Sequence, residues 1–227
     1  MQIFSKTKEK VLLFFILTLA VSLRLLGLNW DQNQHLHPDE RFLTMVTTAI
    51  EFPTSILSYL NPENSLANPY NHNFGFFVYG TFPVYLTKIV GNIFENTGYE
   101  EIYLVGRIIS AFFDVGVVLL VYKIGKKVYG NKEGLLAAFL YSIMVLPIQL
   151  SHFFTSDTFL NFFLVLAFYS LTLLITHHNL VVNSVFLGIS FGLALACKIS
   201  ALYFLPIIGL GFIYLLIYSR PKKKCSR

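Results

Sequence analysis

Residues 35–41 read His-Leu-His-Pro-Asp-Glu-Arg, the densest polar constellation in the chain. Pro38 suits the first turn of a helix. That puts Asp39 and Glu40 at the helix's positive end, where the dipole favours ionised carboxylates. An ionised carboxylate facing a cavity can take a proton from a hydroxyl or an amine and serve as a general base. The same residues also suit an ordinary helix start, where acids are common. His35, His37 and Asp39 are metal donors by type. Their i, i+2 spacing matches no zinc pattern, so no metal is expected, and His37 stands as a supporting residue beside the acidic pair.

Five more polar groups fall at or inside long apolar runs. Arg107 opens one run, and Asp114 follows seven residues later on the same helical face. His152 and Asp157 flank a turn between two runs, and Lys198 joins two others. Ionisable groups within apolar spans are costly and usually face a bundle interior or a cavity. Arg107 and Lys198 read equally well as side chains that snorkel to the interface. Asp114 lies deeper and calls for a cation, with Arg107, Arg24 and Lys198 as the candidates. All these groups fall toward the membrane face that carries Asp39. Carboxylates and cations around one outward cavity suit an anionic lipid headgroup and a nucleophilic acceptor, because the cations would stabilise a phosphate leaving group. His177 and His178 fall on the opposite side and read as loop residues.

The elements that must position these groups follow from composition. The chain has 227 residues, of which 55% are hydrophobic and 13% charged. A soluble domain carries about 25% charged residues, so this chain cannot coat a soluble globule. That excludes a water-soluble enzyme, a disordered protein and a nucleic-acid module. The expected fold is all-α and polytopic, a single membrane domain over 1–227. About 20 apolar residues cross a bilayer as a helix, and six segments qualify: 11–28, 103–122, 134–150, 157–176, 181–197 and 201–218. Pro147 is expected to end or kink the third. The first resembles a secretory signal at its basic start, but its apolar run continues past Arg24 to Leu28, which favours an uncleaved anchor.

Lysine and arginine bias orients the bundle. With both termini cytoplasmic, twelve of the 17 basic residues lie inside, among them Lys123, Lys126, Lys127 and the tail Arg220–Lys224. The net charge of +5 therefore reports orientation, and the tail is expected to touch anionic lipid headgroups; no nucleic acid is expected as a partner. The two cysteines, Cys197 and Cys225, fall on opposite sides and should not pair. Residues 29–102 form a long outer loop. Within it, Phe42, Leu43, Val46, Ala49 and Ile50 have helical spacing, which predicts an amphipathic interfacial helix over 39–50. Residues 53–74 read as an exposed loop, and 76–94 as a second interfacial or re-entrant helix.

The ordered motifs resemble a known family. After the first span come Trp30 and then His-Pro-Asp-Glu-Arg-Phe at 37–42, Tyr-Gly-Thr-Phe-Pro-Val-Tyr-Leu at 79–86 and Gly-Arg-Ile-Ile-Ser at 106–110. They are followed by the basic stretch 121–130, Ser-His-Phe-Phe-Thr-Ser-Asp at 151–157 and Gly-Leu-Ala-Leu-Ala-Cys-Lys at 192–198. This order resembles the N-terminal half of GT-C membrane glycosyltransferases, in particular glycosyltransferase family 39, the protein O-mannosyltransferase and aminoarabinose transferase group. Members typically carry further spans and often a C-terminal soluble domain, so the chain is expected to be a fragment, a truncated product or a half that needs a partner.

The resemblance implies an inverting transfer of a sugar from a polyprenyl-phosphate carrier to a hydroxyl-bearing protein, lipid or glycan acceptor. The carrier is a substrate, and no cofactor is implied. Asp39 maps to the base that deprotonates the acceptor and Glu40 to a neighbour that helps position it. Ser151, His152 and Asp157 map to a short family stretch in which protein mannosyltransferases carry arginine at the position of His152. Arg107 and Lys198 map near the lipid phosphate. The charge bias puts the loop 29–102 on the outer face, and the absence of N-x-S/T acceptor sites with the short loops points to a prokaryotic plasma membrane. Two other readings are a non-catalytic membrane subunit that binds lipid-linked sugar without turnover, and a transporter. A transporter needs polar groups at the midplane or broken helices in repeated halves, whereas the polar groups here gather at one face.

Overall fold

A computed structural model describes residues 6–176 and 179–218. The expectations for His177, His178, Cys225 and the basic tail lie outside the described residues. Every regular element among the described residues is helical, as the hydropathy pattern requires. The first, α1 (Lys6–Leu25), starts earlier than its apolar run and ends where Gly27 adopts φ +76°, a conformation that stops a helix and costs glycine little.

The loop 29–102 is largely structured. It contains α2 (Pro38–Ala49), the short α3 (Ile56–Leu60), a 3-10 turn (Pro69–His72) and α4 (Phe82–Ile93). Pro38 and Pro83 each stand in the first turn of their helix, where the missing N–H costs nothing. Helices thus stand where the pattern expected two, the second beginning at Phe82 and not at residue 76. Their apolar faces are not left to the membrane alone: Leu43 and Val46 of α2 and Val84 of α4 are fully buried with Phe154 and Phe159 in one core cluster. That core ties the loop onto the helices below it.

The remaining helices are α5 (Tyr99–Val128), α6 (Asn131–Ser142), α7 (Val145–Ser151), α8 (Ser156–Ile175), α9 (Leu180–Cys197) and, after a 3-10 segment (Ile199–Phe204), α10 (Leu205–Tyr218). At 30 residues and 1.5 Å per residue, α5 runs about 45 Å and is the axis on which α1, α6 and α8 pack. Among the described residues, four stretches are long and apolar enough to cross a membrane: Tyr99–Val128, Ser156–Ile175, Leu180–Cys197 and Ile199–Ile217. The pair α6 and α7, bent by 58°, makes a fifth if counted as one broken span. The bend lies before Val145, not at Pro147 as expected. Pro147 is the third residue of α7, and a first-turn proline has no helical carbonyl behind it to clash with. The 20-residue α1 has the length of a span but carries Glu9 and Arg24, both buried against its neighbours.

Arg24 shows how α1 is held. Its Nε donates to Asp114 Oδ2 of α5 at 2.5 Å, and its Nη1 to the Ser142 carbonyl of α6 at 2.9 Å. Tyr141 of α6 donates to the other Asp114 oxygen at 2.8 Å. Of the cations the sequence left open for Asp114, Arg24 is the partner. The carboxylate serves to join three helices.

Candidate functional site

Asp39 and Glu40 are the second and third residues of α2. Successive helical residues point about 100° apart, and the two carboxylates accordingly go to different environments. Glu40 is fully buried. Its Oε1 accepts from Arg107 Nε and from the Phe154 backbone N–H, both at 2.7 Å, and its Oε2 accepts from Arg107 Nη2 at 2.6 Å. Arg107, also fully buried, donates further to both carboxylate oxygens of Asp31, at 3.0 and 2.9 Å, and to the Leu28 carbonyl at 2.5 Å. The Tyr103 ring lies 4.7 Å from the guanidinium. All five donors of Arg107 are occupied. The expectation that it meets a lipid phosphate is therefore corrected: two protein carboxylates have already taken that role. Likewise Glu40 is not part of an open acidic pair. Burial pushes the Asp31 carboxyl up, but the hydrogen bonds and charge of Arg107 outweigh it and hold the group below its ordinary value.

Asp39 faces the other way and is half-buried. Beside it is Tyr79, in the loop before α4. Burial, followed by the adjacent Asp39 carboxylate and the charge of Asp157, pushes the Tyr79 phenol up to about 12. Lys198 Nζ donates to Asp157 Oδ1 at 2.8 Å and stands 5.9 Å from the centre of the Tyr79 ring. The Lys198 and Asp157 side chains are 30% and 41% exposed, so a ligand can reach both. The structure thus brings Asp39, Asp157 and Lys198 to one place and adds Tyr79.

The elements explain the convergence. Asp157 is in the first turn of α8 and Lys198 caps the C-terminus of α9, the ends where a carboxylate and an ammonium are each favoured by the helix dipole. Tyr79 is fixed by Gly80, whose N–H donates to the Cys197 carbonyl at 2.9 Å. A Cβ on Gly80 would sit 1.9 Å from the Ala196 carbonyl oxygen. Only glycine lets this strand of chain lie against the end of α9, one residue from Lys198. A cleft of about 280 Å³, lined by Asp157, Thr158, Asn161, Tyr141 and Asp114 among others, opens beside Asp157.

The other expected residues lie apart from this cluster. His152 lines a separate cavity of about 330 Å³ with Trp30 and Phe153. Its two ring nitrogens face the Ile148 and Leu26 carbonyls at 2.7 and 2.9 Å, so it links α7 to the end of α1. The His37 ring lies 4.6 Å from that of Phe153. His35 is buried between Tyr99 and Tyr103. Among the described residues no group of three or more His, Cys, Asp or Glu side chains is placed to hold a metal ion. Sequence reasoning missed Asp31, Tyr79 and Tyr141. Asp31 had one signal, an acid directly after Trp30. Tyrosine is common in membrane chains, and Tyr79 had only its neighbour Gly80 to distinguish it.

Residues 81–226 match the family model described as dolichyl-phosphate-mannose-protein mannosyltransferase. The match begins after Asp39, Glu40 and Tyr79. Among solved structures, the chain is similar to the Archaeoglobus fulgidus oligosaccharyltransferase in its apo form, with TM-score 0.72 and 22% identity, over 93% of this chain and 26% of that one. A complex of that enzyme with zinc and sulfate gives 0.68 and 22%, over 90% and 27%. Its complex with an inhibitory peptide and a dolichol-phosphate gives 0.64 and 23%, over 95% and 25%. The chain spans about a quarter of the length of that enzyme, and at this identity the likeness establishes the fold. No curated protein matches the chain by sequence.

Proposed function

The chain belongs to the dolichyl-phosphate-mannose-protein mannosyltransferase family, and from that premise we propose that it carries the acceptor-activating site of an inverting glycosyltransferase. The donor is a sugar on a polyprenyl-phosphate carrier, and the acceptor is a hydroxyl group of a protein, lipid or glycan. The carrier is a substrate, not a cofactor. The site faces the outer side of the membrane, a prokaryotic plasma membrane on this reading, with both termini cytoplasmic.

The observation that carries the reading is the contrast between adjacent carboxylates. Glu40 is closed into an ion cluster, while Asp39 stands half-open beside Tyr79 and the Lys198–Asp157 pair. In the proposed step Asp39 takes the proton of the acceptor hydroxyl. The acceptor oxygen attacks the anomeric carbon from the side opposite the phosphate, and the bond from that carbon to the phosphate oxygen breaks. The electron pair leaves with the phosphate, and Lys198 stabilises the charge that develops there. Asp157 holds the ammonium in place, and the Tyr79 hydroxyl, kept neutral, orients the Asp39 carboxylate.

The test uses the full chain in lipid nanodiscs, a panel of short polyprenyl-phosphate sugars and hydroxyl acceptors. Asp39→Asn should lower transfer by about 100-fold or more, the usual range for a lost general base, and leave the melting temperature unchanged. Transfer at the wild-type rate would overturn the role of Asp39. Donor binding without turnover in either protein would replace the enzyme by a lipid-sugar-binding subunit, and uptake that depends on Asp157 would replace it by a transporter.

A further inference from the structure

The end of α1 and the turn after α7 border a cavity of about 330 Å³, lined by Leu26, Gly27, Trp30, Gln149, His152 and Phe153. It lies at the same end of the bundle as Asp39. The Phe153 ring is 4.6 Å from that of His37, which stands two residues before Asp39, and the next residue, Phe154, donates its N–H to Glu40. The volume falls in the range of small-molecule sites, about 300–1,000 Å³. Trp30 is the one tryptophan of the chain and is 46% exposed, so a ligand can reach its ring. That ring meets Phe153 edge-on at 5.6 Å and has the Arg107 guanidinium 5.8 Å from its centre. The indole is therefore held in place before any ligand arrives.

The walls and the rim of this cavity differ in chemistry. The walls are aromatic, Trp30 and Phe153. The rim is polar and short of donors. Gln149 is exposed there, and its amide both donates and accepts. His152 Nδ1 faces the Ile148 carbonyl at 2.7 Å, and Nε2 faces the Leu26 carbonyl at 2.9 Å. A neutral imidazole has one N–H, so it donates to only one of them. With that proton on Nδ1, at the shorter contact, Nε2 and the Leu26 oxygen are two acceptors with no hydrogen between them. A ligand hydroxyl supplies one. Among the described residues that line the cavity there is no lysine, arginine, aspartate or glutamate. An anionic group would find no cation in this lining, and an acyl or isoprenoid chain would leave the rim acceptors unpaired.

We propose that this cavity seats a neutral pyranose ring of a carbohydrate acceptor. A pyranose matches both parts of the site. The C–H groups on its faces suit the negative face of an aromatic ring, and the hydroxyls around its edge suit the rim. In the transfer proposed above, the anomeric carbon of the donor sugar lies between Asp39 and Lys198. The ring seated here therefore belongs to the acceptor, whose reacting hydroxyl extends toward Asp39. The assignment to the acceptor rests on that transfer; the binding of a sugar ring does not, and Trp30 reports it without turnover.

The test titrates the full chain, in a polyoxyethylene detergent that carries neither sugar nor tryptophan, with methyl glucoside, galactoside and mannoside while the emission of Trp30 is read. At least one should move the emission to shorter wavelengths and saturate, with half-saturation at about 1–10 mM, the affinity expected of so small a ligand. Gln149→Ala, at an exposed position, should raise that value about fivefold, the worth of one hydrogen bond. Glycerol, which has hydroxyls but no ring face, should leave the emission unchanged. No saturable shift with any of the three glycosides, or an equal response to glycerol, would overturn the proposal. So would quenching by a lipid with brominated acyl chains that the sugar does not relieve, because an acyl chain would then fill the cavity. Transfer kinetics identify the source of the ring. Gln149→Ala should raise KM about fivefold for a disaccharide acceptor and leave KM for the polyprenyl-phosphate sugar unchanged. A rise in the donor KM alone would assign the ring to the donor and overturn the acceptor assignment. A sugar-dependent shift in a wild-type chain without transfer activity would uphold the sugar site and refute the transfer reading, so the two failures are distinguishable.

Discussion

Glu40→Gln and Asp39→Asn are the same chemical change at adjacent positions, and the structure gives them opposite outcomes. Glu40 accepts three hydrogen bonds, at 2.7, 2.6 and 2.7 Å, from two Arg107 nitrogens and the Phe154 N–H. A glutamine places an NH2 group against at least one of these donors. If it replaces Oε2, it meets Arg107 Nη2. If it replaces Oε1, it meets both Arg107 Nε and the Phe154 N–H. At least one buried donor is left unsatisfied, at about 1–3 kcal/mol, and one side of a buried ion pair is lost, for which the usual cost is about 3–5 kcal/mol. Asp31 still neutralises Arg107 through two bonds, so the lower end applies, about 3 kcal/mol in all. A chain of this size loses about 2–4 °C in melting temperature per kcal/mol, which predicts a drop of about 6–12 °C. Asp39→Asn, at a half-exposed position, should move the melting temperature by no more than about 2 °C. The assay is a thermal melt of each variant in nonionic detergent followed by size exclusion, with transfer measured well below the lower melting point. Glu40→Gln should lose stability and lower transfer only by what a slackened placement of Asp39 costs, about tenfold; Asp39→Asn should keep stability and lower transfer by about 100-fold or more. A Glu40→Gln protein that melts with the wild type but no longer binds donor would show that Glu40 faces the substrate, and the division of labour between the two acids would fail.

Two further outcomes follow from the same geometry. Gly80→Ala must displace either the 79–81 backbone or the end of α9, because its Cβ would stand 1.9 Å from the Ala196 oxygen; transfer should fall at least about tenfold, since an ångström of misplacement is that costly, while a surface control, Gly75→Ala, with nothing within 4 Å of its Cβ, keeps full activity. Asp31 has a folded-state pKa below its ordinary value of 3.8, so its contribution to stability is complete above that value and is lost as pH falls through the lower, folded-state value. The melting-temperature gap between wild type and Asp31→Asn should be constant from pH 7 to pH 5 and narrow only below about pH 4; a gap that closes near neutral pH would mean that Arg107 does not hold this carboxylate ionised.

The fold class was legible because hydropathy leaves a chain this apolar few alternatives; the helix after Pro38 was legible from that proline and the spacing of Leu43 and Val46, and the later one from its apolar, aromatic run, although Pro83 opens it and does not interrupt it. The bend between α6 and α7 was misplaced because proline marks a break only when a helical turn precedes it, and Pro147 begins one. Within the site, Asp39, Asp157 and Lys198 could be named, since ionisable groups in apolar surroundings are conspicuous. Their partners could not. Whether Glu40 turns inward depends on Arg107, 67 residues away, and no local pattern encodes that meeting. Arg107 was assigned to a phosphate by the family resemblance, and its residue type suits one. Asp31 and Glu40 take four of its hydrogen bonds and the Leu28 carbonyl the fifth, and only three-dimensional proximity distinguishes the two cases.

The buried ion clusters are expensive, and their cost is informative. Replacing such a cluster with apolar side chains is often neutral or stabilising, so stability alone is a weak reason to keep one. What these clusters do is connect the elements that bear the open site. Arg107 holds Glu40 and, through it, the Phe154 N–H. Phe154 lies three residues before Asp157, in the turn that launches α8. One fully hydrogen-bonded carboxylate therefore fixes the start of α2, which carries Asp39, relative to the start of α8, which carries Asp157. Arg24, Asp114 and Tyr141 fix α1 and α6 to α5 in the same manner. Arg107 and Glu40 are positioning residues on this account. In the proposed transfer, groups held on four different segments need such cross-links, because catalysis falls steeply with small errors in placement. The charges that touch nothing mobile set the geometry of those that do.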